Sequence, residues 1–154
     1  FSPKDEVEKR GNRMKRDELI LAAFEARKQA YAPYSRHKVG AALLAENGKV
    51  YMGCNIENIA YGPTNCAERT AFFKAVSEGE RKFSAIAVVG GHEKAKELDY
   101  FPPCGICRQV MMEFCDYNTF KIFLAKTPKE YKEYTLCELQ PVAFSSQILQ
   151  KEKR

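Results

Sequence analysis

The stretch Thr64–Arg69, with the sequence TNCAER, decides how the chain is organised, together with Pro103–Cys107, PCGIC, further along. The two stretches contain three thiols and one carboxylate that could form a metal site: Cys66, Cys104, Cys107 and Glu68. Three thiolates can hold Zn²⁺ in a tetrahedral shell and leave the fourth position open, which is typical of a catalytic zinc site. The spacing therefore predicts a metal centre that can take part in hydrolysis.

Glu68 is the residue that would move protons at such a centre. Zinc lowers the pKa of a water molecule, and a nearby carboxylate can take the proton and pass it to a leaving amine. A Cys or His two residues before a Glu, followed later by Pro-Cys-x-x-Cys, is the signature of zinc deaminases. Taken alone, Asn65-x-x-Glu68 also fits a helix capping box, in which the carboxylate only accepts from a backbone amide.

The flanking residues resemble one family specifically, the small homotetrameric cytidine deaminases. The resemblance runs from about Met14 to about Ser146. It rests on six segments in order: Tyr31–Ser35 (YAPYS), Val39–Leu43 (VGAAL), Gly53–Asn58 (GCNIEN), Asn65–Ala71 (NCAERTA), Pro103–Val110 (PCGICRQV) and Ala143–Ser146 (AFSS). A single Cys-x-x-Cys would be a weak signal, whereas an ordered set of motifs is a strong one.

This resemblance implies an α/β fold, a three-layer α/β/α sandwich with a mixed sheet. It implies one Zn²⁺ per subunit, bound by Cys66, Cys104 and Cys107, with Glu68 as the proton shuttle. The implied reaction is the hydrolytic deamination of cytidine and 2′-deoxycytidine to uridine and 2′-deoxyuridine, with release of ammonia, as in pyrimidine salvage. The implied assembly is a homotetramer with active sites at subunit interfaces.

The resemblance also implies the substrate contacts. Asn55 and Glu57 would bind the ribose, although two polar residues at a strand end could equally cap a turn. Backbone groups near Ala67 would orient the base, and Phe144 would reach the site of a neighbouring subunit. His37 stands where relatives carry Phe, so the ring that packs on the substrate gains polarity and a titratable proton.

Arg69 follows Glu68 directly, and the charge of the centre suggests its role. Three thiolates on Zn²⁺ give a net charge of −1, which should make a bound water less acidic. In three-cysteine members of the family an Arg at this position donates to the sulfurs, so Arg69 is expected to support the ligands. The alternative is an ordinary surface arginine.

Composition places limits on the remaining classes of function. The chain has 154 residues, a net charge of +5 and six unevenly spaced cysteines, which fits one catalytic domain in a reducing, cytoplasmic setting. Much of the positive charge lies at the two ends, without a concentrated basic and aromatic patch, so nucleic-acid binding is not expected. No apolar run of signal or membrane length occurs in the sequence, so no membrane association is expected.

The sequence divides into residues 1–13, a polar segment without periodicity, and residues 14–154, the catalytic domain. We expect residues 1–13 to be an added segment, a native extension or a mobile arm. Apolar periodicity and turn residues predict four helices and five strands. The first helix is expected to have Asp17 as its N-cap and Leu21 and Phe24 on its packed face. The predicted helices are 17–30, 65–79, 104–116 and 145–153, and the predicted strands are 38–45 and 49–56, which form a hairpin, 83–89, 119–125 and 131–137.

Two rival functions stay open from the sequence. One is a deaminase of the same fold that acts on an aminonucleoside antibiotic or on a base within nucleic acid. The other is a structural zinc module without chemistry, which would need a fourth protein ligand. The candidates for that ligand are Cys54, Cys115, His37 and His92.

Overall fold

The computed structural model describes residues 2–150; Phe1 and residues 151–154 lie outside the described part. Its centre is a five-stranded sheet in the order β2-β1-β3-β4-β5. The strands are β1 His37–Ala45, β2 Val50–Cys54, β3 Phe83–His92, β4 Lys121–Ala125 and β5 Tyr131–Thr135. Only β3 and β4 run parallel, and the other neighbouring pairs are antiparallel, so the sheet is mixed as predicted.

Helices cover both faces of the sheet. The helices are α1 Pro3–Arg27, α2 Ala67–Ser77, α3 Gly105–Phe114, α4 Leu136–Leu139 and α5 Gln147–Gln150. On one face, Leu19, Ile20 and Ala23 of α1 pack on alternate residues of the central strands. On the other face, Phe72 of α2 and Met111 of α3 are buried in the larger apolar cluster. The predicted three-layer α/β/α arrangement is confirmed.

The hairpin between β1 and β2 formed where Asn47-Gly48 predicted it. Gly48 has a φ of 92°, a left-handed conformation that favours glycine. The pairing runs from Leu44 opposite Val50 to Gly40 opposite Cys54. Because β2 ends at Cys54, the chain leaves the sheet just before the predicted ribose residues, Asn55 and Glu57.

Two glycines set how closely the helices approach the sheet. A Cβ built on Gly40 would collide with the backbone of α1 at Ala23 and Arg27. A Cβ built on Gly53 would lie 2.5 Å from the carbonyl oxygen of Ala67 and 2.5 Å from the amide nitrogen of Ala71, both in α2. The absence of these two side chains lets backbone rest on backbone, so the first turn of α2 is fixed in depth against β2.

The first helix is much longer than predicted. It begins at Pro3, with Ser2 as N-cap and a reciprocal capping box between Ser2 and Asp5, so Asp17 as N-cap is wrong. The segment predicted as an extension is therefore helical from Pro3 onward, although residues 2–15 are exposed. Leu21 is exposed, so its predicted place on the packed face is also wrong, whereas Phe24 packs partly against the core.

The other boundaries differ by a few residues. Helix α2 starts at Ala67 instead of Asn65 and ends at Ser77, followed by Gly79 at a φ of 99°. Strand β5 ends at Thr135 because Thr135 and Glu138 form a capping box that starts α4, a helix the sequence pattern did not indicate. The predicted helix 145–153 is present as α5, and its last three residues lie outside the described part. Within residues 2–150, no helix is both long enough and apolar enough to cross a membrane.

Candidate metal centre and active site

The sulfurs of Cys66, Cys104 and Cys107 meet at one point. The Sγ atoms of Cys66 and Cys104 lie 3.7 Å apart, those of Cys104 and Cys107 lie 3.5 Å apart, and all three lie within 4.8 Å of one another. None of the three is in a disulfide. Zinc–sulfur bonds of about 2.3 Å place neighbouring sulfurs of a tetrahedron about 3.8 Å apart. The donor set and its spacing therefore fit a zinc ion.

Helix N-termini hold the sulfurs in this arrangement. Cys66 is the N-cap of α2, and Cys104 is the N-cap of α3, whose first turn carries Cys107. The amide of Cys107 donates to the sulfur of Cys104 over 3.5 Å. Free amides and the helix dipole at such positions stabilise thiolates, the form of cysteine that binds metal.

A fourth protein ligand is not part of this group. Among residues 2–150, the cluster of side chains able to hold a metal contains only Cys66, Cys104 and Cys107. His37 and His92 instead pack edge to face, with ring centres 5.3 Å apart. A closed structural zinc site would need one further donor, so the geometry favours an open, catalytic centre.

Glu68 lies beside the sulfurs and away from solvent. Its side chain is 3 % exposed, and its Oε2 atom lies 3.7 Å from the sulfur of Cys107. Burial raises the pKa of Glu68 to about 7, with a smaller contribution from the charge of Cys66. The predicted alternative of a capping box with Asn65 does not form, since the Asn65 amide donates to the hydroxyl of Thr70. A carboxyl group with this pKa can take and return a proton near neutral pH.

Arg69 turns toward the sulfurs and not toward solvent. Its Nη2 atom donates to the sulfur of Cys66 over 3.2 Å, and its Nε atom is buried without a hydrogen-bond partner within residues 2–150. Burial alone would lower the pKa of Arg69, but hydrogen bonds to Cys66 and Cys107 raise it above the ordinary range. The guanidinium thus stays charged and offsets part of the negative charge of the thiolates.

The two most buried sulfurs share a proton in the metal-free protein. A hydrogen bond from Cys107, aided by Arg69, lowers the pKa of Cys66 to about 5, although burial acts in the opposite direction. The same hydrogen bond, together with burial and the charge of Glu68, raises the pKa of Cys107. The hydrogen bond between the two sulfurs therefore favours one thiolate and one thiol in the pair before metal binds, and binding must displace the proton that the pair retains.

A cavity of about 300 Å³ opens onto this centre. Cys66, Ala67, Glu68 and Cys104 form one side, and His37, Asn55 and Glu57 line another. The structure thus brings every sequence-predicted substrate residue except Phe144 to one cavity. Phe144 is 68 % exposed and does not line it in the single chain; its carbonyl oxygen accepts from the side chain of Gln109 over 3.0 Å.

Asn55 does more than face the cavity. Its Oδ1 atom accepts from the amide of Val39 over 2.9 Å, and its Nδ2 atom donates to the carbonyl oxygen of His37 over 2.8 Å. Asn55 therefore ties the chain that follows β2 to the start of β1. These hydrogen bonds to the backbone agree with the turn-capping alternative, and ribose binding by Asn55 stays a prediction.

The sequence analysis gave no role in substrate binding to several residues that line the cavity, among them Ser35, Phe101 and Pro102. Ser35 lies in the quoted YAPYS segment without an assigned role, and Phe101 and Pro102 belong to the charged loop before the second cysteine pair. Phe101 and Pro102 stand directly before PCGIC, the motif that carries two of the metal ligands. Their position in the sequence could therefore have indicated that they lie at the cavity. A larger groove of about 600 Å³ lies beside α1, between Lys15 and Lys121, and contains none of the cysteines.

Similarity to known proteins agrees with this geometry. Residues 13–122 match the family described as the cytidine and deoxycytidylate deaminase zinc-binding region. The cytidine deaminase of Sporosarcina psychrophila is 52 % identical over 133 residues, 86 % of this chain and 93 % of the relative. That of Halalkalibacterium halodurans is 52 % identical over 134 residues, 87 % of this chain and 97 % of the relative.

A solved structure gives the same result for the fold. The crystal structure of cytidine deaminase from Burkholderia pseudomallei aligns with a TM-score of 0.74 at 46 % identity, over 82 % of this chain and 97 % of that chain. The family match over residues 13–122 includes both cysteine motifs, the hairpin and the helices that hold the sulfurs. The chain therefore belongs to the cytidine and deoxycytidylate deaminase family of zinc-binding proteins.

Proposed function

We propose that this protein is a zinc-dependent cytidine deaminase that converts cytidine and 2′-deoxycytidine to uridine and 2′-deoxyuridine and releases ammonia. The single observation that carries the proposal is the convergence of three unbridged sulfurs beside one buried carboxyl group. The shared name of the relatives supports cytidine as the substrate. A zinc ion held by Cys66, Cys104 and Cys107 would supply a Lewis acid that makes a water molecule acidic enough to attack the base near neutral pH.

In this proposal, Glu68 carries the protons. It takes one proton from the attacking water and delivers it to N3 of the cytosine ring. It then takes the remaining proton of that water, now on the new C4 hydroxyl group, and delivers it to the departing amino group. Its burial and its pKa of about 7 support both halves of this cycle, since the group can be charged or neutral at working pH. Backbone groups near Ala67 would orient the base, while Phe101 and Pro102 would keep bulk water out of the cavity.

The ribose would lie against Asn55 and Glu57. Glu57 already accepts from the amides of Tyr34 and Ser35, each over 3.0 Å, and from the Ser35 hydroxyl over 2.5 Å. Burial acts to raise the pKa of Glu57, but these hydrogen bonds lower it below the ordinary value, so the carboxylate stays charged. A fixed carboxylate and a fixed amide together can bind a sugar hydroxyl in one orientation.

The proposal includes a homotetramer that works in the cytoplasm, in pyrimidine salvage. Exposed large apolar side chains support the assembly, since Tyr61 is 95 % exposed, Ile59 is 82 % exposed and Phe144 is 68 % exposed. All six cysteines are free, which supports a reducing compartment. Analytical ultracentrifugation of the purified protein tests the tetramer, and a fully active monomer would contradict the role given to Phe144.

The direct test is to follow the loss of cytidine absorbance with purified protein, with and without a chelator. Turnover that the chelator abolishes and added zinc restores is the expected result. Parallel assays with an aminonucleoside antibiotic and with single-stranded DNA separate the rival deaminases. Zinc bound without turnover of any of these substrates would instead indicate a structural module.

A further inference from the structure

His37 offers a hydrogen-bonding atom that the protein itself does not use. The ring lines the cavity, and its Nδ1 atom lies 2.8 Å from the carbonyl oxygen of Ser35. A carbonyl oxygen can only accept, so Nδ1 carries the proton, and in the neutral ring Nε2 has a free lone pair. Within residues 2–150, Nε2 makes no hydrogen bond.

The neighbouring polar groups have little capacity left. The Asn55 side chain already makes two hydrogen bonds to the backbone of β1, one as donor and one as acceptor. Glu57 already accepts three hydrogen bonds from Tyr34 and Ser35, out of about four that a carboxylate can accept. A nucleoside sugar has several hydroxyls to satisfy, and among the side chains of His37, Asn55 and Glu57, only the ring of His37 keeps a nitrogen without a hydrogen bond to residues 2–150.

The ring is also held in place before any ligand arrives. The amide of His37 donates to the Ser35 hydroxyl over 3.0 Å, and that hydroxyl donates to Glu57. The ring of His92, opposite His37 in the pairing of β1 with β3, meets it edge to face at 5.3 Å. The amide of Lys94 donates to Nδ1 of His92 over 3.1 Å, which fixes that second ring in turn. An acceptor on a fixed ring loses little entropy when a ligand binds.

We propose that Nε2 of His37 accepts a hydrogen bond from one ribose hydroxyl of the nucleoside and makes His37 a specificity-determining residue for the sugar. The inference rests on the proposed function and extends it. A site that pairs with a hydroxyl discriminates against the analogue that lacks it, because the hydrogen bond to the acceptor is then lost. A phenylalanine at this position would pack on the sugar but could not distinguish hydroxyl from hydrogen.

The test compares kcat/KM for cytidine with those for 2′-deoxycytidine, 3′-deoxycytidine and 5′-deoxycytidine, in the wild-type protein and in His37→Phe and His37→Gln. The assays are run at about pH 8, where imidazole groups are largely neutral. The expected result is that His37→Phe reduces the preference for cytidine over one of the three analogues by about fivefold to tenfold. The affected analogue identifies the hydroxyl. His37→Gln, whose amide oxygen can occupy the Nε2 position, should retain more of that preference.

A fall in kcat/KM by the same factor for cytidine and all three analogues in His37→Phe would overturn the inference. A wild-type protein that does not deaminate cytidine would instead refute the proposed function. Nitrogen NMR of the histidine rings gives a readout independent of turnover. We expect Nδ1 of His37 to be protonated and Nε2 unprotonated in the free protein, with the Nε2 resonance shifting when uridine is added. An unprotonated Nδ1 would also overturn the inference.

Discussion

The Nη2 atom of Arg69 lies 3.2 Å from the sulfur of Cys66, close enough to donate a hydrogen bond to it. The two residues are three positions apart at the start of α2, so the first turn of one helix supplies both the ligand and the group that balances its charge. A centre with three thiolates carries one more negative charge than a centre with one histidine and two cysteines. Arg69 supplies the compensating positive charge within hydrogen-bonding distance.

Replacing Arg69 with Gln should move the pH–rate profile. The bound metal would keep a net charge of −1 without compensation, so the attacking water would become less acidic. The apparent pKa at which kcat rises with pH should therefore increase by roughly one unit. Arg13→Gln, on the exposed first half of α1, is the matched control and should leave the profile unchanged. An unaltered profile at unaltered zinc content for Arg69→Gln would count against this role.

Replacing Glu68 with Gln should lower kcat by about 10²-fold to 10⁴-fold, because the amide cannot carry protons. The zinc content should stay the same, since Glu68 does not belong to the sulfur cluster. Glu113→Gln, an exposed carboxylate on α3, controls for the change of charge. Kinetics and metal analysis on the same samples give the answer, and full activity in Glu68→Gln would reject the proton shuttle.

Zinc binding should release protons. In the metal-free protein, the pair formed by Cys66 and Cys107 favours retention of one proton, and this proton must leave when both sulfurs bind metal. Affinity should therefore rise with pH, by about tenfold per pH unit for each proton released. Calorimetric titration of the metal-free protein with zinc, in buffers of different ionisation enthalpy, measures the number of protons released. A heat of binding that is independent of the buffer would mean that no proton is released.

Thiol labelling should separate the cysteines by their pKa. In the metal-free protein, Cys66 should react first with iodoacetamide near neutral pH, because its pKa of about 5 leaves it as a thiolate. Burial raises the pKa of Cys115, so Cys115 should react much more slowly than Cys66. Added zinc should protect Cys66 and leave the rate at Cys115 unchanged. Peptide mass spectrometry over time reads both rates, and equal rates at the two residues would contradict the expectation.

Gly53→Ala should impair both stability and activity. The added methyl group would meet the backbone of α2 at Ala67 and Ala71, on either side of Glu68. Overpacking of this kind costs about 1–3 kcal/mol, and here it would also displace the catalytic carboxyl group. Gly62→Ala is the control, since a Cβ there meets nothing within 4 Å. Thermal unfolding and kcat are the measurements, and a Gly53→Ala protein that matches Gly62→Ala in both would show that the contact relaxes freely.

Local chemistry in the sequence was enough to predict most of the fold. Asn47-Gly48 predicted the hairpin, and Gly48 adopts the left-handed backbone that its turn requires. The first half of α1 was missed because residues 2–15 are exposed and so show no apolar stripe. A capping box at Ser2 and Asp5 starts that helix, and such a signal is short enough to overlook in a polar segment.

The cysteine spacing was enough to predict the metal site, but it did not predict which residues lie around that site. Helical spacing gave no reason for Cys66 and Glu68 to converge, since residues two apart normally point in different directions. The two side chains converge in the structure because Cys66 is the N-cap of α2, where the backbone is still extended, while Glu68 lies in the first helical turn. Phe101 and Pro102 come from a loop without periodicity, so only the folded chain could place them at the cavity.

The close contact at Gly40 and Gly53 limits how the substrate range of this protein can be redesigned. Gly40 pairs with Cys54, and Gly53 pairs with Ala41, so the two glycines lie close together on neighbouring strands. Gly40 allows the close approach of α1 on one face of these strands, and Gly53 allows that of α2 on the other. Moving α2 outward to admit a bulkier nucleoside would separate Cys66 and Glu68 from Cys104 and Cys107, which lie at the start of α3. Libraries aimed at larger substrates should therefore vary Phe101 and Pro102, which line the cavity from the loop before α3.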